Sequence, residues 1–224
     1  MRSFEVFRQK FARFYEAVKA GHENSTRQHQ GHGLDHDITV AQIAVMISPD
    51  ARTGTKAWVA SMLHSTDRIV PKGDKGAEEY HVRKRLAFLP EGYFTPQELE
   101  EIVQAVLRHA ELNRDDQSLV QQVLMDADRL SNLMPSVIIR AGQFQSDIPA
   151  FEFEYLDGKR NPASTYHEPK SVLDDLRNNI IEYPPKLRLP KAKKLAIDYV
   201  NLLHGFIKAV ENTNKNLGLA KEME

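Results

Sequence analysis

The sequence has no cysteine. That absence excludes a disulfide framework, thiolate zinc sites, iron–sulfur clusters and a cysteine nucleophile. No apolar run approaches the ~20 residues that a membrane-spanning helix needs. Net charge is nearly absent too: 30 Lys and Arg stand against 31 Asp and Glu, leaving −1. No global field therefore draws in nucleic acid or an anionic membrane surface. The opening stretch, MRSFEVFRQKFARF, lacks the apolar segment and small-residue cleavage site of a secretory signal. Together these absences predict a soluble, cytoplasmic protein with neither a membrane nor a nucleic acid polymer as partner. Its 224 residues, 41% hydrophobic and 27% charged, suit one domain of generous size.

What is present is helical periodicity. Phe4, Phe7, Phe11, Tyr15 and Val18 recur every three or four residues, which predicts one amphipathic helix. A second helix is expected from about His36 to Ile47. A third is expected over roughly 55–66, after a break at Pro49 and Gly54. Thr95-Pro96-Gln97-Glu98 places a cap hydroxyl, a first-turn proline and a capping-box glutamate ahead of another helix. A long apolar pattern runs from about Leu119 to Phe144 and predicts a single helix. Residues 147–166 fit a loop or a short hairpin, and two further helices are expected near 168–182 and 190–216. The expectation is an all-α, single-domain helical bundle. Residues 1–27 would form an N-terminal helix and linker packing on the core, 28–146 the core, and 147–224 a loop and helices completing the same domain.

The chemistry lies in where the histidines fall. His36 opens the second helix, His64 ends the third, His109 ends the helix that Thr95 opens, and Asp128 lies within the long helix from Leu119, in Asp126-Ala127-Asp128-Arg129-Leu130. Imidazoles and carboxylates converging from different helices are how helical folds build metal sites. Without sulfur, a hard or borderline divalent ion is expected: Mn, Mg, Fe, Ni, Co or Zn.

GHGLDHDITVAQIAVM, LHSTD, VLRHAE and LMDADRLSNL, in that order, resemble the HD superfamily of metal-dependent phosphohydrolases, in particular its small bacterial hydrolases. The resemblance covers roughly residues 28–211. It implies an HD-type bundle in which His36, His64 and Asp128 hold a divalent metal and His109 orients water or phosphate. It also implies hydrolysis of a phosphoester or phosphoanhydride bond in a small phosphorylated molecule, a nucleotide foremost, by metal-activated water. Lys72, Lys75, Arg83, Asn132 and Arg140 are the candidates for binding that substrate.

The sequence departs from the family at the doublet. Where the family keeps His-Asp, this chain has His64-Ser65, and a neutral hydroxyl is a poor ligand for a divalent ion. If the helix carrying His64 continued for one more turn, Asp67 would share its face and replace the carboxylate. Water or a substrate oxygen are the other candidates, and so is a site without a tightly held metal. That last possibility keeps a second function open: a degenerate, non-catalytic HD domain that binds a nucleotide or a protein partner.

Overall fold

The structure, a computed structural model, describes residues 3–25, 32–70 and 76–219. Two predicted phosphate contacts, Lys72 and Lys75, lie outside the described residues. The chain is all-α, with no strand among the described residues. Its contacts divide it into two compact units, Met1–Ser131 and Asn132–Glu224. This differs from the expected single domain with its core running to residue 146. The division falls where the apolar run read as one helix is interrupted.

In the first unit, α1 (Phe4–Lys10) and α2 (Ala12–Glu23) replace the single N-terminal helix expected from the Phe stripe. The backbone leaves the helical region at Phe11, with φ −117° and ψ 39°. Phe4, Phe7, Phe11 and Phe14 all face Trp58, with ring centroids 5.1–6.5 Å away. Trp58 is fully buried. Aromatic groups of this size contribute heavily to the energy of a core.

The centre of this unit is α3 (Leu34–Ile47), α4 (Ala51–Ser61) and α8 (Leu119–Ser131), each packed on the other two. Helix α4 starts and stops earlier than its apolar pattern suggested. Asp50 sets the start: its Oδ1 accepts the backbone N–H groups of Arg52 and Thr53, both at 2.9 Å. Gly54 therefore lies inside the helix rather than breaking it, and a Cβ there would meet the Ser48 side chain at 3.3 Å. The glycine lets α4 approach the end of α3. The one-turn α5 (Thr66–Ile69), α6 (Ala77–Leu86) and α7 (Pro96–Leu107) complete the unit. The expected capping box at Thr95 and Glu98 opens α7.

In the second unit, α9 (Ser136–Phe144), α10 (Val172–Glu182) and α11 (Pro190–Asn216) are joined by loops and 3₁₀ turns. The alternation at Phe151, Phe153 and Tyr155 resolves as a loop with a 3₁₀ turn, not as a hairpin. Buried Arg177 ties these parts together. It donates to Asp174 on its own helix at 2.8 Å, to the Tyr155 carbonyl at 3.1 Å and to Glu211 on α11.

Asp50 satisfies two N–H groups that α4 otherwise leaves unpaired. Asp50→Ala should therefore destabilise the first unit by about 1 kcal/mol. Denaturant unfolding followed by the emission of Trp58, the sole tryptophan, checks this.

Candidate metal centre

Three separate pieces of the first unit meet at one point. His36 sits in the first turn of α3 and Asp128 in the last turn of α8, while His64 belongs to the turn that follows α4. Their ligand atoms lie within 4.8 Å of one another, and they form the one such group of three or more among the described residues. His36 Nε2 is 3.2 Å from His64 Nε2 and 3.4 Å from Asp128 Oδ1. The remaining side, from His64 Nε2 to Asp128 Oδ1, is 3.8 Å. Both imidazoles are buried, whereas the Asp128 side chain keeps 30% of its surface open.

The ring of His64 is oriented by a main-chain group. Its Nδ1 lies 2.6 Å from the Ser61 carbonyl oxygen. A carbonyl only accepts, so Nδ1 carries the proton and, in the neutral ring, Nε2 presents its lone pair. The same device acts on His109, whose Nδ1 donates to the Val106 carbonyl at 2.6 Å. His109 stands edge-on to His64 with ring centroids 5.6 Å apart. Histidines that bind metals are characteristically held this way through the other nitrogen. Nitrogen and oxygen donors, with no sulfur, suit a borderline or hard divalent ion. The residues fit such an ion.

Charge points the same way. Burial by itself would raise the Asp128 carboxyl. A hydrogen bond from His36 and the positive fields of His64, His36 and His109 overcome it and hold the group well below the usual carboxylate range. Asp128 is thus ionised where a cation would sit.

A second carboxylate lies behind the ligands. Asp37 follows His36 on α3 and is 1% exposed. Its Oδ1 accepts the Ser65 hydroxyl at 2.5 Å and lies 3.4 Å from His64 Nδ1, while Oδ2 is 2.9 Å from His22 Nε2. Sequence reading passed over Asp37. The Asp35-His36-Asp37 run was a visible signal, but its partners come from distant parts of the chain.

The other predicted residues fare differently. Asp67 does not join the cluster. Helix α4 stops at Ser61, so His64 and Asp67 do not share a continuous helix, and Asp67 lies on α5 with Arg68 Nε 3.2 Å away. Arg83 meets two carboxylates on the surface, Glu79 at 2.7 Å and Glu100 at 2.8 Å. Asn132 and Arg140 belong to the second unit, not to the helix of Asp128. Helix α8 ends at Ser131, Pro135 precedes α9, and the Arg140 guanidinium donates to the Asn132 side-chain oxygen. Asp126 is fully buried, 3.7 Å from Arg129.

Residues 33–133 match the family model of the HD domain. Among curated proteins none matches the sequence. Solved structures do resemble it. An HD-superfamily hydrolase from Bacillus thuringiensis is 17% identical, with 91% of this chain and 96% of that one covered and a TM-score of 0.64. YpgQ of Bacillus subtilis, solved in complex with ADP, is 16% identical over 94% and 97% of the two chains, also with a TM-score of 0.64. A Lactobacillus plantarum protein is 17% identical over 96% and 100%, with a TM-score of 0.62. At these identities the likeness is one of fold.

In the second unit, burial pushes the Asp175 carboxyl up to about 6, against the opposing pull of the Arg140 guanidinium. An unfolded Asp titrates near ~3.9. Between these values the folded state holds the extra proton, so stability falls as pH rises through this window and levels off above it. Asp175→Asn should remove that slope. Its melting temperature, followed by circular dichroism, should exceed that of the wild type at pH 7 and lose the advantage toward pH 4.

Proposed function

We propose, from the match of residues 33–133 to the HD domain family model, that this protein is a metal-dependent phosphohydrolase acting on a small phosphorylated molecule, a nucleotide foremost. The observation that carries the reading is the convergence of His36 Nε2, His64 Nε2 and Asp128 Oδ1 within 4.8 Å. The tautomer of His64, fixed through Ser61, supports it. These three residues would hold the ion. Bound there, a divalent metal supplies Lewis acidity, polarising a phosphoryl oxygen and making water a competent nucleophile at neutral pH.

The chain's own groups do the rest. His109, with its Nδ1 proton committed to the Val106 carbonyl, offers Nε2 to a water or a phosphate oxygen beside the ligands. Ionised Asp128 keeps the centre anionic and favours a cation over a free phosphate until the metal is loaded. Lys72 and Lys75, in the segment that follows His64 in sequence, are proposed as phosphate contacts. The ADP bound to YpgQ supports a nucleotide as the class of substrate to try first.

One observation favours a second reading, a binding domain without catalysis. Position 65 holds a serine whose hydroxyl is turned to Asp37, so the doublet brings no carboxylate of its own to the ion.

Elemental analysis separates these readings. The wild type should carry about one equivalent of divalent metal, a mononuclear centre, and His64→Ala and Asp128→Ala should carry none. Phosphate release from nucleotides should stop in chelator and return with Mn²⁺. Protein that stays empty after dialysis against excess Mn²⁺ would sink the hydrolase. Protein that loads yet releases no phosphate from any nucleotide would leave the binding domain standing.

A further inference from the structure

Four parts of the first unit converge on Asp37. Helix α3 carries it. Helix α2 brings His22, with Nε2 2.9 Å from Oδ2. The turn after α4 brings Ser65, whose hydroxyl donates to Oδ1 at 2.5 Å, and His64, whose Nδ1 is 3.4 Å away. From α6 the buried Arg85 guanidinium acts at longer range, without an ion pair to Asp37. Burial lowers the Arg85 pKa and the Asp37 charge opposes that lowering. Glycine on α2 makes room for it, since a Cβ at Gly21 would stand 2.3 Å from Arg85 Nη2. A carboxylate that is 1% exposed would be strongly disfavoured without such partners.

The placement relative to His64 has a chemical meaning. Asp37 lies on the Nδ1 edge of the ring, while Nε2 faces His36 and Asp128. It therefore does not act as a ligand beside Nε2. The Nδ1 proton bonds the Ser61 carbonyl at 2.6 Å with the carboxylate close behind it, an arrangement that orients an imidazole and increases its electron donation to a metal. A carboxylate at position 65, where the hydroxyl now donates, would instead face Oδ1 of Asp37 with like charge.

We propose that Asp37 is a positioning residue of the metal centre. It supplies from α3 the negative charge that the altered doublet lacks, and position 65 is a hydroxyl because that charge is already opposite it. The inference rests on the metal-centre reading above.

Two measurements test it. The first is Mn²⁺ titration by calorimetry, alongside the visible spectrum of the Co²⁺-loaded protein. Asp37→Asn should bind Mn²⁺ about tenfold more weakly and alter the Co²⁺ spectrum, while Trp58 emission reports an intact fold. Ser65→Thr, which keeps the hydroxyl, should retain affinity better than Ser65→Ala. The second is thermal unfolding in chelator. Ser65→Asp and Asp37→Ser should each melt lower than the wild type, and the exchange Asp37→Ser/Ser65→Asp should melt above both.

An exchange variant that melts no higher than the weaker single variant overturns the proposal. So does an Asp37→Asn protein that loads Mn²⁺ like the wild type with an unchanged Co²⁺ spectrum; the metal centre itself then survives. A wild type that takes up no Mn²⁺ removes the metal-centre reading and this inference with it.

Discussion

Two imidazole nitrogens lie 3.2 Å apart, with a carboxylate oxygen 3.4 Å from one and 3.8 Å from the other, and a hydrogen bond from His36 supports the ionised Asp128. Such a buried polar cluster stands only while a proton or a cation lies between its atoms. Packing elsewhere in the first unit holds them together. Helices α3, α4 and α8 pack mutually, and the four-phenylalanine cluster around Trp58 anchors α1 and α2 against α4. Backbone carbonyls at Ser61 and Val106 fix two rings without adding charge. The scaffold thus gathers nitrogen and oxygen donors on rigid groups, an arrangement that would lower the reorganisation needed to bind a cation.

The cluster of His36, His64 and Asp128 was legible in the sequence because two imidazoles and a carboxylate came in order at helix ends, and order survives folding. Asp67 was misread for a local reason. The i, i+3 relation to His64 holds only while a helix continues, and α4 stops at Ser61 so that a carbonyl becomes free for the His64 ring. The run from Leu119 to Phe144 was read as one helix because apolar periodicity persists through the interruption: Leu130, Leu133 and Val137 are all buried. Pro135 marks the break, and Asn132 and Arg140 moved out of the expected helix with it. The N-terminal stripe divides at Phe11, where three of its rings, Phe4, Phe7 and Phe11, pack on one indole.

Asp37 shows what a linear pattern does not carry. Neighbours on a helix differ by about 100° in direction, so the residue after a ligand is expected to face elsewhere, and Asp37 does. Its setting is made by His22, Ser65 and Arg85 from three other segments. Their approach depends on contacts between α2 and α6 and between α5 and α6, which spacing along the chain does not encode.

Gly54 gives this fold a fulcrum. Helices α3 and α4 are joined by a short turn, and the glycine lies near that closed end, where an added Cβ would meet Ser48 at 3.3 Å. His36 lies toward the far end of α3, and His64 hangs beyond the far end of α4, about 10 Å along the axis at 1.5 Å per residue. An added β-carbon would require the Ser48 side chain to give way by a few tenths of an ångström. The missing side chain at position 54 thus sets how closely the two helices meet at their joined end.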